Sequence, residues 1–466
     1  MPNGRRLLLV ALIGLGLAFL VPAPAGVTPQ GWRQAAIFIA VIAGLIAQAM
    51  PAAVVVLLGL VVTAANGTPL RETLGGFAEP AVWLVVLVLF FARVLLNTGM
   101  ARRIALLFIR AFGRSSLGVS YALLLTDVTL AGGVPSITAR NAGMVLPVGV
   151  SIAEMLGSRP GPTAGRLGTF LIAAMYQGSA VACAMFLTGQ ASNVLGANLA
   201  VKLTGIRILW SDWFVAALVP GLVSLLVVPA LVHRLLPPEI RSTPEAASFA
   251  ARELAAMGRL TRDQAITLAV FVAMGVLWVT TAWHGLEVAF VALIGVAVLL
   301  LTGTLAWADC LAEKPAWEML VWYGGLVRLG ELLAASNVPK VYAEQVGQVF
   351  AGLPWPVMLA AVLVVYFYSH YFFASITTHI LAMFPPFVLL LIQVGVPPKL
   401  AVYSLLCLAN LPAGLTHHGT TSAPILFGLG YVSLRDWWRV GAIVSVANVA
   451  IWLTFGFAWW KWLGFW

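Results

Sequence analysis

PSITARNAGMVLPV (135–148) and ASITTHILAMFPPF (374–387) are the two stretches on which the fold of this chain turns. In the first, Ser136-Ile137-Thr138 is followed by Arg140 and, eleven residues after the serine, by Pro147. In the second, Ser375-Ile376-Thr377 is followed by His379 and, again eleven residues on, by Pro386. A recurring tripeptide is weak evidence, but this one sits in an ordered series. Asn97, before MARRIALLFIRAFGR (100–114), matches Asn337, before PKVYAEQVGQVF (339–350). Each Ser-Ile-Thr element is also followed by a long apolar segment broken by small polar residues, FLTGQASNVLGANLA (186–200) and NLPAGLTHHGTTSAPILFGLG (410–430). The chain is an internal repeat.

Composition places that repeat in a membrane. Of the 466 residues, 61% are hydrophobic and only 9% charged, with mean hydropathy +1.00. A soluble protein carries roughly a quarter charged residues. Apolar runs recur at bilayer length, about 20 residues, and the alternating ten-residue segments of a β-barrel are absent. The fold class expected is an all-α polytopic membrane protein. The net charge of +10 lies in short connections between apolar runs, a positive-inside pattern rather than a nucleic-acid face. Tryptophans cluster at segment ends (DWFV, DWWRV, WWKWLGFW), as at membrane interfaces. Cys183, Cys310 and Cys407 are scattered and form neither a disulfide framework nor a metal motif.

About eleven spans are read, near 7–24, 32–50, 52–66, 80–98, 166–200, 213–236, 264–283, 286–304, 318–336, 398–430 and 438–462. MPNGRR followed by LLLVALIGLGLAFLVPAPA has the form of a signal peptide; with a whole membrane domain behind it, a retained first span is expected. The organisation is an N-terminal span (1–31), a first repeat (32–236), a linker (237–263) and a second repeat (264–466). Arg102, Arg103, Arg110 and Arg114 follow the fourth span, where the matching second-half segment has only Lys340. The linker region holds Arg234, Arg241, Arg252, Arg259 and Arg262. Threading from a cytoplasmic N-terminus puts these arginines inside and the C-terminus outside. The two halves then insert with opposite topology, as secondary transporters do.

Two segments, about 116–157 and 356–393, must begin and end on one side. Each is read as a re-entrant helical hairpin, its Ser, Thr, Gly and Pro tolerated where the backbone is buried or lines a cavity; pairs of full spans are the alternative. Hairpin tips expose backbone N–H groups at the start of a helix. Ser136, Thr138, Ser375 and Thr377 add hydroxyls. The broken spans, about 166–200 and 398–430, add Gln190, Ser192 and Asn193, and Thr416, Gly419, Thr420 and Thr421. Such a site is rich in donors and poor in carboxylates, and it suits a small anion with two negative ends.

Plainer readings exist for each residue. Ser, Thr and Gly let membrane helices pack closely. Arg140 is a helix-end residue reaching for water, a partner of Asp127, or a countercharge for the anion. His379, His417 and His418 lack companion ligands for a metal. Arg93, Arg328 and Glu331 lie within spans and are expected to brace the protein or its dimer.

LFFARVLLNTGMARRIALLFI (89–109), PSITARNAGMVLPV, HYFFASITTHILAMFPPF (370–387) and TTSAPILFGLGYV (420–432) resemble the divalent anion/sodium symporter family, particularly its dicarboxylate and tricarboxylate exchangers. The resemblance covers almost the whole chain. It implies a homodimer in which a fixed scaffold holds a moving transport domain, an elevator. It also implies substrate contacts at Ser136, Ile137, Thr138, Arg140, Asn141, Ser192, Asn193, Ser375, Ile376, Thr377, Thr378, His379, His418, Gly419, Thr420 and Thr421. Sodium, if coupled, would meet Ser136, Gly189 and Thr377. The family's tips carry Ser-Asn-Thr, and here the asparagine is Ile137 in one tip and Ile376 in the other. Asn141 is a replacement for the first only by a register shift. Oxygen ligands for sodium are lost with those amides, and a nearby arginine repels the ion.

The expectation is therefore sodium-independent exchange of small di- or tricarboxylates (the succinate, malate, oxoglutarate and citrate class) across the cell's inner membrane. Lipid and a second copy of the chain are the expected partners, with no nucleic acid and no cofactor. Alternatives are cation-coupled symport, by sodium or protons, and an integral-membrane enzyme using Arg140 with His417-His418, for which no nucleophile–base set is present. A channel suits broken inverted repeats less well.

Overall fold

The computed structural model describes residues 2–349 and 352–466. Its regular elements are helical, and the isolated β-bridge among these residues joins Ser115 to Ser242. Among the described residues, eight helices are long and apolar enough to cross a bilayer, including Pro80–Asn97, Trp210–Leu235 and Arg262–Val279. These fall on spans expected near 80–98, 213–236 and 264–283. Ala52–Ala65 and Val288–Leu301 are shorter apolar helices inside the wider windows expected there. The chain is a multi-pass membrane protein.

Both halves contain the same pair of irregular units. The first unit of each is two helices joined by a turn. Ser115 opens the earlier one by accepting from Gly118 N at 3.1 Å, a serine N-cap. Its first arm is Ser116–Ala131; its second begins with a π-helical stretch, Thr138–Val145, and continues as Leu146–Met155. Pro147 contributes no N–H to the ladder, and wide π turns occur where helical pairing is interrupted in this way. In the later unit the arms are Trp355–Ser369 and Ile376–Gln393. With the turn residues His370–Phe372 counted, both arms reach the length of a full crossing.

The second unit of each half is a helix that stops and restarts. Gly168–Met185 gives way to a 3-10 turn at Leu187–Gly189 and resumes as Ala191–Thr204. All of Gly168–Met185 except Thr169 is buried, as expected of a helix apolar on every side. In the other half Pro398–Leu408 leads to a 3-10 turn at Leu411–Leu415 and an extended Thr416, with helix returning at Ala423–Gly428.

Packing gathers the helices into two groups joined along Met100–Phe112, which lies as closely on Ser116–Ala131 of the first as on Pro244–Met257 of the second. In the first, Gly168–Met185 packs on Trp210–Leu235, on Ser116–Ala131 and on Leu146–Met155, while Ala191–Thr204 lies on Ile376–Gln393 and Leu434–Ile451 on the 411–415 turn. In the second, Lys314–Ala335 packs on Pro29–Ile46, Ala52–Ala65 and Pro80–Asn97, and Met100–Phe112 packs on Pro244–Met257. Polar contacts cross between them. Lys202, on the restarted helix, pairs with Glu331 of Lys314–Ala335 and lies 3.6 Å from Glu79. Arg328 holds the same Glu331 at 3.0 Å and Glu72 at 3.4 Å. Arg93 reaches Glu313 at 3.9 Å. These charged residues within the helices brace the chain internally.

Two glycines permit close approach. A side chain on Gly133, in the first turn, would meet the Phe271 ring at 2.5 Å. One on Gly441 would meet Gly414 O at 2.4 Å, where Leu434–Ile451 presses on the second break. Gly441→Ala is expected to lower stability by about 1–3 kcal/mol through overpacking, read as a drop in the thermal unfolding midpoint of detergent-solubilised protein.

Candidate functional site

The serine of each Ser-Ile-Thr element is the N-cap of the second arm. Ser136 Oγ accepts from Ala139 N at 3.2 Å and Ser375 Oγ from Thr378 N at 3.4 Å. Each hydroxyl keeps its own hydrogen for another partner, and both serines are only half-buried. Ile137 and Ile376 are buried. The Ile137 N–H donates to Gln190 Oε1 at 3.1 Å, and Ala191 N donates to Pro135 O at 3.0 Å. The first tip is thus stitched to the first break.

Arg140 is wholly buried. Its Nε donates to Asp127 Oδ1 at 3.0 Å, joining the two arms of the hairpin. Nη1 donates to Val134 O and, at 2.6 Å, to Gly189 O, and Nη2 meets Cys183 Sγ at 3.1 Å. Four of about five available N–H groups are thereby engaged. Of the roles open to Arg140 in the sequence, partnership with Asp127 is the one this geometry has. Asn141 Nδ2 donates to Met175 O at 3.0 Å, binding the arm to the neighbouring helix.

The second half divides the same work between two histidines. His379 Nε2 lies 2.9 Å from Tyr366 O and 3.0 Å from Ser369 Oγ. His370 Nε2 lies 2.9 Å from Gly419 O, in the second break. The rings are 5.1 Å apart, nearly perpendicular, and both buried. Thr377 and Thr378 are also buried. His418 is partly exposed, its Nε2 3.4 Å from Tyr371 O. His417 accepts from Trp438 Nε1 at 3.2 Å, and among the described residues no three metal-ligating side chains converge.

The breaks are held from across the repeat. Asn193 Nδ2 donates to Cys183 O at 2.8 Å and Phe186 O at 2.9 Å, carbonyls freed where the first helix stops. Its Oδ1 accepts from Asn410 Nδ2 at 2.7 Å. Gln177 Nε2 donates to Gly414 O at 2.9 Å, and Tyr176 reaches Ala413 O and Thr420. Buried backbone groups without helical partners need such donors. Ser192 Oγ and Thr416 Oγ1 are buried without a hydrogen-bond partner among the described residues. Thr138 and the exposed Thr421 meet hydroxyl to hydroxyl at 2.6 Å. There the first tip touches the second break.

The residues expected at the site therefore sort by what they touch. Ser136, Thr138, Ser375 and Thr421 retain exposed or half-buried hydroxyls, whereas Arg140, Asn141, Asn193 and His379 bind backbone within the protein. Tyr176, Gln177, His370 and Asn410 were missed. The signal for Tyr176 and Gln177 was present, a polar pair inside an otherwise apolar segment.

The family described as "Sodium:sulfate symporter transmembrane region" matches residues 4–466. The chain belongs to the divalent anion/sodium symporter family. It is 40% identical over 464 residues to dicarboxylate transporter 1, chloroplastic, of Arabidopsis thaliana, covering 98% of this chain and 83% of that one. It is 39% identical to the putative malate transporter YflS of Bacillus subtilis (99% and 96% covered) and 32% identical to the citrate/succinate antiporter of Escherichia coli (98% and 98%). Two solved structures share the fold at low identity. They are the Alcanivorax borkumensis YdaH transporter (TM-score 0.54, 14% identical, 83% and 87% covered) and Neisseria gonorrhoeae MtrF (TM-score 0.56, 13% identical, 97% and 96% covered). This member of the symporter family is a membrane transporter, not an enzyme.

Proposed function

We propose that this chain exchanges small di- or tricarboxylates without sodium, one anion leaving as another enters. The relatives named for dicarboxylates, malate and citrate/succinate support the substrate class. One observation carries the coupling: the Arg140 guanidinium sits on the carbonyls of Val134 and Gly189, beside the first tip and first break. Gly189 is where a coupling sodium was expected to find an oxygen. A fixed cation already bonded to that carbonyl repels a second one. The isoleucines at 137 and 376 withdraw two further oxygens.

The anion is held between the tips and the breaks, by Ser136, Thr138, Ser375, Thr421 and the N–H groups of Thr138, Ile376 and Thr377 at the start of the second arms. The first packing group, with both helix pairs and both broken helices, moves as a rigid body past the second. Lys202 pairs with Glu331 and Glu79 across that boundary in the arrangement described. The N-terminus is cytoplasmic and the C-terminus outside, in an inner membrane, and two copies associate through the fixed group. The earlier helix pair, whose first arm is short of a full crossing, is re-entrant; the later pair, with arms of crossing length, is either re-entrant or two full spans.

A second reading, proton-coupled symport, is favoured by the buried His370–His379 pair. Purified protein in liposomes separates them. Labelled succinate, malate, oxoglutarate and citrate are offered to vesicles that are preloaded or empty, with and without sodium or proton gradients. Uptake is expected only into preloaded vesicles and without response to either gradient. Sodium-driven uptake into empty vesicles would refute the exchange proposal, and proton-driven uptake would favour the second reading.

A further inference from the structure

Tyr176 lies in the Gly168–Met185 helix, fully buried, with its phenol oxygen 2.9 Å from Ala413 O and 2.9 Å from Thr420 Oγ1. A phenol carries one hydrogen, and a carbonyl only accepts. The phenol hydrogen therefore goes to Ala413 O, and Thr420 must be the donor to Tyr176. Thr420 Oγ1 in turn accepts from Ala423 N at 3.2 Å and stands 3.0 Å from Ser422 Oγ. With its own hydrogen spent, Thr420 accepts there too. The chain of hydroxyls runs in one direction, from Ser422 through Thr420 and Tyr176 to Ala413, because its last member is a carbonyl.

Thr420 thus has no hydrogen for a ligand and is itself buried. Its neighbour Thr421 is exposed and meets Thr138 at 2.6 Å. Two hydroxyl hydrogens serve that single contact, so one stays free. The two threonines are adjacent in sequence and opposite in use.

We infer that Tyr176 is a positioning residue that turns Thr420 away from the transported anion and fixes Thr421 as the donor that the second break offers to it. The inference rests on the exchange reading above and assigns the selectivity of its site to a residue in the other half of the chain. A purely packing role for Tyr176 has its own support, since its ring lies 5.0 Å from that of Trp437.

The test uses full-length protein in succinate-preloaded liposomes and reads the external succinate concentration giving half-maximal exchange. Tyr176→Phe keeps the ring and removes the hydroxyl. It is expected to raise that concentration roughly tenfold, the worth of one well-placed hydrogen bond, while the maximum rate changes less than about twofold. Thr420→Val should have a similar effect alone and add less than about twofold in the Tyr176→Phe background, because both break one chain. Thr421→Val should add less than about twofold in either background, because Tyr176 and Thr420 act through that donor, and Thr420→Ser, which keeps the chain, should match the unaltered protein. Thr420→Val acting in full on top of Tyr176→Phe would overturn the inference, since Thr420 would then bind the anion directly. So would an unchanged half-saturation in Tyr176→Phe. If Tyr176→Phe does not fold, the contrast between Thr420→Ser and Thr420→Val decides, and equal half-saturation for the two overturns it. An unaltered protein that exchanges none of the four anions removes the exchange reading and this inference with it.

Discussion

Arg140→Met loses exchange and lowers stability by about 3–5 kcal/mol, the cost of leaving one partner of a buried ion pair without the other. Asp127 and Arg140 are both almost fully enclosed, so water does not replace the missing guanidinium. The variant also strips donors from Val134 O and Gly189 O, whose only other recourse is an unpaired carbonyl in an apolar setting. Arg140→Lys does not rescue it. An ammonium has neither the planar fork nor the reach to serve Asp127, Val134 and Gly189 together. Asp127→Leu combined with Arg140→Met recovers much of the stability, as buried pairs replaced by apolar groups do, but not exchange. Thermal unfolding in detergent gives the first quantity and succinate exchange in liposomes the second. Intact exchange that stays indifferent to sodium in a stable Arg140→Met protein would remove Arg140 from the coupling mechanism.

Asn193→Ala is the second large effect. It removes the donor shared by Cys183 O and Phe186 O and the acceptor for Asn410 Nδ2, all buried. A buried polar group left unmatched costs about 1–3 kcal/mol; Cys183 O and the Asn410 amide lose this partner, while Phe186 O keeps the Gly189 N–H at 2.9 Å. The expected sum is about 2–5 kcal/mol, seen as a lower unfolding midpoint with substrate absent. Asn193→Asp keeps the Oδ1 acceptor but sets a carboxylate oxygen against two carbonyls in a buried setting, and it is expected to cost at least as much as the alanine. If Asn193→Ala leaves the midpoint unchanged and weakens only substrate binding, then the asparagine serves the ligand and not the break.

Spans near 80–98, 213–236 and 264–283 were legible because lipid imposes long apolar windows, and interruptions in such windows stand out. Eleven spans were read where eight helices of crossing length are found among the described residues, two of them at about 356–393. Ser136 and Ser375 were legible as tips because the Ser-Ile-Thr element recurs between two apolar arms in each half. Asp127 was legible as a partner for Arg140 since both lie in one hairpin. What escaped is contact between distant parts. Tyr176 to Thr420, Gln177 to Gly414 and Asn193 to Asn410 cross from one repeat to the other, and no local periodicity encodes such a pairing. The π-helical start of the second arm also escaped, because one proline predicts an interrupted ladder without saying whether it kinks or widens. His370 was overlooked for another reason. It precedes the Ser-Ile-Thr element and has no counterpart before Ser136, so the repeat gave no cue to it.

The Arg140–Asp127 pair has a consequence for energetics at the scale of the cell. Its charges cancel, so this pair adds nothing to the charge that crosses the membrane during transport. Dianion-for-dianion exchange then moves no net charge and runs indifferent to membrane potential. Trading a dianion for a trianion moves one elementary charge per cycle, worth about 2.3 kcal/mol per 100 mV. Exchange becomes voltage-driven or voltage-blind according to the ionisation state of the two cargoes, with no contribution from this pair.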